Sequence, residues 1–239
     1  MIMGLGFTLA MWRDLRPLMS QRFRTIVFDN RGVGKSDILL RPFSISMMMR
    51  DAACVLDAAG VSSTHVIGFS MGGMIAQELA LSFPDRVRKL VLGCTMCGGR
   101  HAVNPDLKVR ATLARLMFMS RQRGMAALLP FLYDEHTPRA RIEQDLEVLR
   151  RNATLRLGVV EQLLAILSWR SYDRLPQIKS PTLVIHGAND QLVPPENARI
   201  LADRIPDAKL VILANASHIF PSDQPELAHR ELLNFLTES

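Results

Sequence analysis

A serine flanked by glycines stands in Gly68-Phe69-Ser70-Met71-Gly72, which matches the G-x-S-x-G pattern of nucleophilic serines. The apolar run His65–Phe69 before the serine predicts a buried strand, and the spacing of Met71–Phe83 after it predicts a helix. A tight turn between such a strand and helix presents the hydroxyl at the helix N-terminus, where free N–H groups favour developing negative charge. We predict that Ser70 is a nucleophile; the alternative is a glycine-rich turn without chemistry.

A nucleophilic serine needs a general base and an acid that orients the base, and both follow the serine in this strand–turn–helix arrangement. Asp190 follows the predicted strand Pro181–His186, at the carboxyl end where open α/β sheets keep their sites. The other place for the acid is the loop after the predicted strand Lys89–Cys94, and Cys94–Gly99 contains no carboxylate. This favours Asp190 as the acid over an aspartate that only shapes a turn.

One of the six histidines satisfies both chain order and location. His218 follows Asp190 and lies just past the predicted strand Lys209–Leu213. His186 ends a predicted strand beside a glycine and is interpreted as a packed strand-end histidine. The remaining histidines fall at the wrong end of a strand, in a helical segment or in the last helix: His65, His101, His136 and His229. We therefore predict His218 as the general base; the alternative is a histidine in a surface loop.

The three candidate residues must be positioned by a sheet whose strands alternate with helices. Thr25–Phe28 also predicts a strand, and helices are predicted from about 45 to 59, 196 to 204 and 225 to 237. This order predicts an α/β fold with a parallel sheet flanked by helices. Residues 98–173 have helical spacing throughout and predict an insertion, so that residues 1–97 and 174–239 form the core domain. The predicted helices of the insertion are Leu107–Arg123, Met125–Leu132, Arg139–Asn152 and Leu155–Trp169.

The composition is that of an ordinary globular protein and narrows the function classes. The 239 residues are 48% hydrophobic and 22% charged, which excludes disorder, and the net charge of +6 comes without the basic run that nucleic-acid binding favours. The apolar opening Met1–Trp12 lacks a basic leader and is too short to span a bilayer. Three cysteines disfavour a disulfide framework, and Cys94, Cys97 and His101 offer only three of the four ligands that zinc needs. We expect a cytoplasmic protein with no nucleic-acid, membrane or metal partner.

With these residues the chain resembles the α/β-hydrolase fold family over essentially its whole length. Ser70, Asp190 and His218 match the family's nucleophile, acid and base, and Asp29–Ser36 is similar to its D-x-R-G-x-G-x-S turn. Residues 98–173 resemble the helical cap that the family inserts between strands 6 and 7 of its mostly parallel sheet. Among subfamilies, the Ser-Met-Gly-Gly sequence is similar to that of small serine carboxylesterases and enol-lactonases.

The N-terminus departs from the family's pattern. Met3-Gly4-Leu5-Gly6 stands where the family has His-Gly before its oxyanion loop, and the chain begins inside the third strand of the fold. By position, the resemblance implies that the N–H groups of Leu5 and Met71 form the oxyanion hole. Thr25–Phe28 is then expected to be an exposed apolar edge strand, which favours pairing with another chain and predicts a homo-oligomer.

The resemblance implies hydrolysis of a small-molecule carboxylic ester or lactone through an acyl-enzyme intermediate, with no metal or organic cofactor. The alternatives are a cofactor-free perhydrolase, a C–C bond hydrolase with the same triad, and a ligand-binding, receptor-like protein on the same fold. The apolar cap, with Phe118, Phe131 and Trp169, favours an uncharged acyl or alcohol group. Within it, Trp169 is predicted to contact the substrate.

Overall fold

The computed structural model of the protein describes residues 1–37, 42–116, 118–152 and 154–238. The strands are β1 (Thr64–Phe69), β2 (Val87–Gly93), β3 (Thr182–Gly187) and β4 (Ala208–Leu213). The helices are α1 (Leu15–Ser20), α2 (Ile45–Ala58), α3 (Met71–Ser82), α4 (Leu107–Leu116), α5 (Arg121–Leu132), α6 (Arg139–Arg151), α7 (Arg156–Ser168), α8 (Glu196–Arg204), α9 (Phe220–Asp223) and α10 (Pro225–Thr237).

The four strands form one parallel sheet in the order β1-β2-β3-β4, which confirms the predicted α/β fold. Helix α3 connects β1 to β2, helix α8 connects β3 to β4, and helices α4 to α7 lie between β2 and β3. Because the strands are parallel, their carboxyl ends meet at one edge of the sheet. Ser70, Asp190 and His218 follow the carboxyl ends of β1, β3 and β4, so the topology directs all three to that edge.

Both faces of the sheet are buried, because successive strand residues point to opposite sides. Leu90, Leu92 and Val184 belong to one hydrophobic core, which includes residues of α2, α3 and α8. Val91 and Ile185 belong to a second core on the other face, which includes residues of α1 and α10. The loops at the carboxyl edge therefore start from strands that are packed on two sides.

The prediction of a strand at Thr25–Phe28 is wrong, because the structure assigns no strand to this segment. Ile26 O accepts a hydrogen bond from the Met1 amino group at 2.8 Å. On the other side of that contact, Ile2 forms only an isolated parallel bridge with Gly68 of β1. A strand needs a continuous ladder of hydrogen bonds along its length, which these contacts do not provide. Self-association through this segment stays a prediction.

The predicted helix Leu107–Arg123 is also wrong, because the structure has two helices there, one ending at Leu116 and the other beginning at Arg121. Ser120 Oγ accepts a hydrogen bond from Arg123 N at 3.4 Å, which caps the start of α5. Serine is favoured at such caps because its hydroxyl competes for backbone N–H groups. The spacing of apolar residues alone does not predict the interruption between α4 and α5.

A buried glutamate on α3 holds the end of the inserted segment, residues 98–173. Glu78 Oε2 accepts hydrogen bonds from Trp169 Nε1 at 2.9 Å and from Arg174 Nη2 at 2.8 Å. Glu78 Oε1 accepts a third from Arg174 Nη1 at 3.1 Å. Burial by itself would raise the pKa of Glu78, but these hydrogen bonds and the charge of Arg174 lower it. The indole of Trp169 packs in the core and stabilises this junction.

Replacing Arg174 with alanine is expected to lower the free energy of unfolding by about 1–3 kcal/mol at pH 7. The variant leaves the carboxylate of Glu78 buried without its cation, which is the reason for the loss. The loss is limited because the side chain of Arg174 is 38% exposed, so that solvent screens the pair. Urea denaturation measures the loss. The control is Arg150→Ala, which removes an exposed pair with Glu147 and is expected to cost less than about 0.5 kcal/mol.

The cost of Arg174→Ala is also expected to depend on pH. In the wild type the lowered pKa of Glu78 contributes stability that is present above its ordinary value of 4.5 and is lost as the pH falls through the folded-state pKa. Without Arg174, the effect of burial on the pKa of Glu78 is opposed less, so Glu78 takes up a proton at higher pH. The difference in the free energy of unfolding between wild type and variant should therefore become smaller as the pH falls from 7 to 4.5. A difference that stays constant would contradict the charge argument.

Candidate active site

Ser70 lies in a strained turn between β1 and α3. Its φ of 54° is in the left-handed region, and Ser70 N donates a hydrogen bond to Gly93 O at 2.9 Å. A Cβ on Gly68 would overlap the carbonyl of Gly72, and a Cβ on Gly72 would overlap the carbonyl of Ile2. Both flanking positions therefore require glycine, which accounts for the G-x-S-x-G spacing in physical terms.

Asp190 and His218 are in direct contact, although 28 residues separate them in the chain. The distance from His218 Nδ1 to Asp190 Oδ2 is 2.8 Å. Asp190 is buried, and its Oδ1 accepts hydrogen bonds from Leu192 N at 3.0 Å and Val193 N at 2.9 Å. Burial by itself would raise the pKa of Asp190, but the charge of protonated His218 and hydrogen bonds from histidines lower it to about 2. The carboxylate is thus an acceptor that holds a proton on His218 Nδ1 and leaves Nε2 as the basic nitrogen.

A second histidine also touches the acid, which the sequence alone did not indicate. His186 Nε2 lies 3.1 Å from Asp190 Oδ2 and 2.7 Å from Val193 O. Since both neighbours are acceptors, Nε2 must carry the hydrogen. The interpretation of His186 as a packed strand-end residue omits this contact. No local pattern predicts this contact, because i,i+4 spacing brings side chains together in a helix and His186 lies in β3.

The loop that carries Leu5 runs beside Ser70. A Cβ on Gly4 would lie 3.0 Å from Ser70 Cβ and 3.5 Å from Ser70 Oγ, so this backbone flanks the hydroxyl. In the part of the chain that the structure describes, Leu5 N–H has no protein acceptor, whereas Gly6 N–H donates to Gln162 Oε1 at 2.9 Å. Met71 is the first residue of α3, so its N–H has no acceptor four residues earlier in the same helix. Both predicted donors are positioned on elements that adjoin Ser70.

The turn at Asp29–Ser36 is hydrogen-bonded to the loop that carries Leu5. Asn30 Nδ2 donates to Met3 O at 2.8 Å, and Asp29 Oδ1 accepts from Leu9 N at 2.7 Å. Gln162 of α7, which is fully buried, completes the support because its Nε2 donates to Arg31 O at 2.9 Å. Sequence reasoning missed Gln162, since nothing local marks a glutamine as a link between two distant loops.

Ser70 and His218 open onto a cavity of about 550 Å³ between the carboxyl edge of the sheet and the inserted segment. Trp169 is not among its lining residues, so the structure places this predicted substrate contact away from the cavity. The reason is that its indole turns toward Glu78. The lining is mainly aliphatic and thioether side chains, including Met3, Leu5, Met74, Met96, Leu113, Leu116, Met119, Met125, Leu128, Leu132, Val159, Leu163 and Ile166.

A second cavity and two buried cysteines are further features that could carry chemistry. A cavity of about 660 Å³ lies at the amino ends of the strands, lined by residues such as Thr64 and Lys89, and neither Ser70 nor His218 reaches it. Cys94 and Cys97 are buried, and burial raises the pKa of Cys97 to about 11 and that of Cys94 well above its ordinary value. Both thiols therefore stay protonated at neutral pH, which does not suit a nucleophile.

The α/β hydrolase fold family matches residues 1–225 of the chain. The chain belongs to the α/β-hydrolase fold family. This α/β hydrolase is 31% identical over 243 residues to a protein of Azorhizobium caulinodans named as a carbamate hydrolase, RutD; the match covers 98% of this chain and 89% of that protein. It is 30% identical over 240 residues to the poly(3-hydroxyalkanoate) depolymerase of Ectopseudomonas oleovorans, covering 98% of this chain and 82% of the relative.

Solved structures agree with this assignment. The crystal structure of the enol-lactonase from Burkholderia xenovorans LB400 superposes on this α/β hydrolase with a TM-score of 0.87 at 27% identity, covering 99% of this chain and 90% of that chain. The resemblance drawn from the sequence is confirmed, and the relatives identify the protein as a hydrolase. No helix among the described residues of this α/β hydrolase has the length and apolar character needed to cross a membrane.

Proposed function

We propose that the protein is a carboxylic ester hydrolase, acting on esters or lactones through an acyl-enzyme intermediate. The observation that carries the proposal is the arrangement at the cavity. Ser70 and His218 line the same cavity, and Asp190 holds the Nδ1 of His218 at 2.8 Å. This is the constellation in which a serine hydroxyl is activated as a nucleophile.

In the proposed reaction Ser70 Oγ attacks the carbonyl carbon of the substrate while His218 Nε2 takes the hydroxyl proton. His218 then passes this proton to the leaving alcohol, and the acyl group remains on Ser70. Water repeats the sequence and releases the acid. Asp190 holds His218 in the tautomer that can accept the proton and stabilises the imidazolium that forms. The N–H groups of Leu5 and Met71 bind the oxyanion, with a contribution of about 3–4 kcal/mol per donor.

The lining of the cavity favours an ester with an apolar chain over a small polar substrate. Burial of each CH₂ group contributes about 0.8 kcal/mol, so an apolar chain gains affinity from this surface. The cavity of about 550 Å³ has room for an ester with a medium-length chain, whereas the RutD relative is named for the hydrolysis of a carbamate. The named poly(3-hydroxyalkanoate) depolymerase and enol-lactonase relatives act on carbonyl–oxygen bonds of the kind proposed here.

A series of p-nitrophenyl esters from acetate to decanoate tests the proposal. From butyrate to octanoate, kcat/KM is expected to rise about two- to fourfold for each added CH₂ group. The variant Leu128→Trp fills part of the cavity and should reduce the octanoate-to-butyrate ratio at least about tenfold. Its control is Gln122→Trp, an exposed position on the same helix, which should keep the ratio of the wild type.

Other outcomes of this experiment would overturn the proposal. Turnover of a carbamate but of no ester would favour the reaction named for RutD. Cleavage of a ring-derived diketone, or peroxide-dependent formation of a peracid, in the absence of ester turnover would indicate the C–C hydrolase or perhydrolase alternatives. Saturable binding of an ester without turnover would indicate a receptor-like protein.

A further inference from the structure

We propose that Asp134 and Asp223 are positioning residues that fix the acid loop and the base loop of the triad relative to each other. The acid loop contains Asn189 and Asp190, and the base loop runs from 214 to 219. This inference rests on the proposed function of the triad. Its basis is that each carboxylate binds the residue immediately before a triad member.

Asp223 binds the base loop. Its Oδ2 accepts a hydrogen bond from Ser217 N at 2.6 Å, and Ser217 directly precedes His218. Its Oδ1 accepts from Thr137 Oγ1 at 2.6 Å and from Asp134 N at 3.3 Å. Three donors from two distant segments of the chain therefore converge on one buried carboxylate.

Asp134 binds the acid loop. Its Oδ2 accepts a hydrogen bond from Asn189 Nδ2 at 2.6 Å, and Asn189 directly precedes Asp190. Its Oδ1 accepts from His136 N at 3.0 Å, which fixes the carboxylate within its own turn. Asp134 N–H in turn donates to Asp223, so the two carboxylates form a continuous link from one loop to the other.

Backbone groups of the inserted segment also contact the base loop directly. Ile219 N donates to Leu132 O at 2.9 Å, and Ser217 Oγ lies 3.2 Å from Phe131 O. Ser217 Oγ also lies 3.3 Å from Asn189 O, so the two loops touch directly at this point. Residues 131–137 of the inserted segment are thus in direct contact with the loops that carry the acid and the base.

A carboxylate is required at position 223, because its two oxygens face donors on both sides. An asparagine has one acceptor oxygen, so its NH₂ group would face either Ser217 N–H or Asp134 N–H, and a backbone N–H can only donate. Burial raises the pKa of Asp223 to about 6, an effect that its hydrogen bonds oppose and the nearby charge of Asp134 reinforces. The fold therefore keeps an acid here at a cost in solvation, which argues against a residue that merely fills space.

The link fixes the distance between the side chains of His218 and Asp190. His218 and Asp190 must stay 2.8 Å apart, and each follows a residue that the link holds. A displacement of about 1 Å in such a site can lower the rate about 100-fold. Breaking the link should therefore slow the chemical steps while the apolar cavity, which binds the substrate, is unchanged.

The test compares Asp223→Asn and Asn189→Ala with the control Glu135→Gln, an exposed residue of the same turn. Asp223→Asn should lower kcat for p-nitrophenyl butyrate about 10- to 100-fold with KM within twofold, and should slow labelling of Ser70 by a fluorophosphonate to match. Hydrogen exchange at the Ser217 amide should become faster. Asn189→Ala, at an exposed side chain, should lower kcat about three- to tenfold, and Glu135→Gln should match the wild type.

The inference is overturned if both variants keep the wild-type kcat, or if KM rises as much as kcat falls. It is also overturned if the Ser217 amide exchanges at the wild-type rate in Asp223→Asn. If Asp223→Asn does not fold, the kcat of Asn189→Ala decides. A wild-type protein that hydrolyses no ester and resists the fluorophosphonate refutes the proposed function instead, and exchange at Ser217 still reports whether the link exists.

Discussion

Replacing Ser70 with alanine is expected to lower kcat for ester hydrolysis about 10⁴- to 10⁶-fold. The substitution removes the only atom that forms the acyl bond in the proposed mechanism, and background catalysis by the oxyanion hole is all that remains. The backbone should keep its turn, since alanine fits wherever serine does and the hydrogen bond from residue 70 N–H to Gly93 O is retained. Steady-state kinetics with p-nitrophenyl butyrate measures the loss.

The control for Ser70→Ala is Ser82→Ala at the end of the same helix, which should leave kcat unchanged. Circular dichroism and the thermal midpoint of Ser70→Ala should match those of the wild type, so that loss of activity is separated from loss of fold. Residual activity above a few per cent in the alanine variant would show that another residue is the nucleophile.

Replacing Asp190 with asparagine is expected to lower kcat about 10³- to 10⁴-fold. Asp190 has partners on both oxygens: Oδ1 accepts hydrogen bonds from two backbone N–H groups, and Oδ2 lies 2.8 Å from His218 Nδ1 and 3.1 Å from His186 Nε2. The amide group of asparagine must turn an N–H toward one of these sides. If it faces His218, Nδ1 becomes the acceptor and Nε2 carries the hydrogen, so His218 can no longer take the proton of Ser70.

The matched variant for Asp190→Asn is His186→Ala. His186 contacts the same oxygen of Asp190 but has no place in the proton transfer, so its removal is expected to cost about tenfold in kcat or less, together with stability lost to the cavity. If His186→Ala were the more severe of the two, the assignment of Asp190 as the triad acid would be wrong.

The sequence alone determined the fold class and the edge of the sheet where the candidate residues gather. Apolar periodicity and the stops at glycine and proline are local properties, and they placed β1, β3 and β4 within one or two residues. Chain order then selected Asp190 and His218, and the structure brings their side chains into contact. That selection needed no distances, because the carboxyl ends of parallel strands must meet at one edge.

Only the tertiary structure decided which side chains face each other across long stretches of chain. Trp169 turns toward Glu78 instead of the cavity, and Gln162 joins loops 131 and 156 residues away. Thr25–Phe28 has strand-forming residues but no ladder to pair with. Strand pairing, burial of polar groups and the partners of a buried carboxylate all depend on neighbours that are distant in sequence, and local patterns carry no information about them.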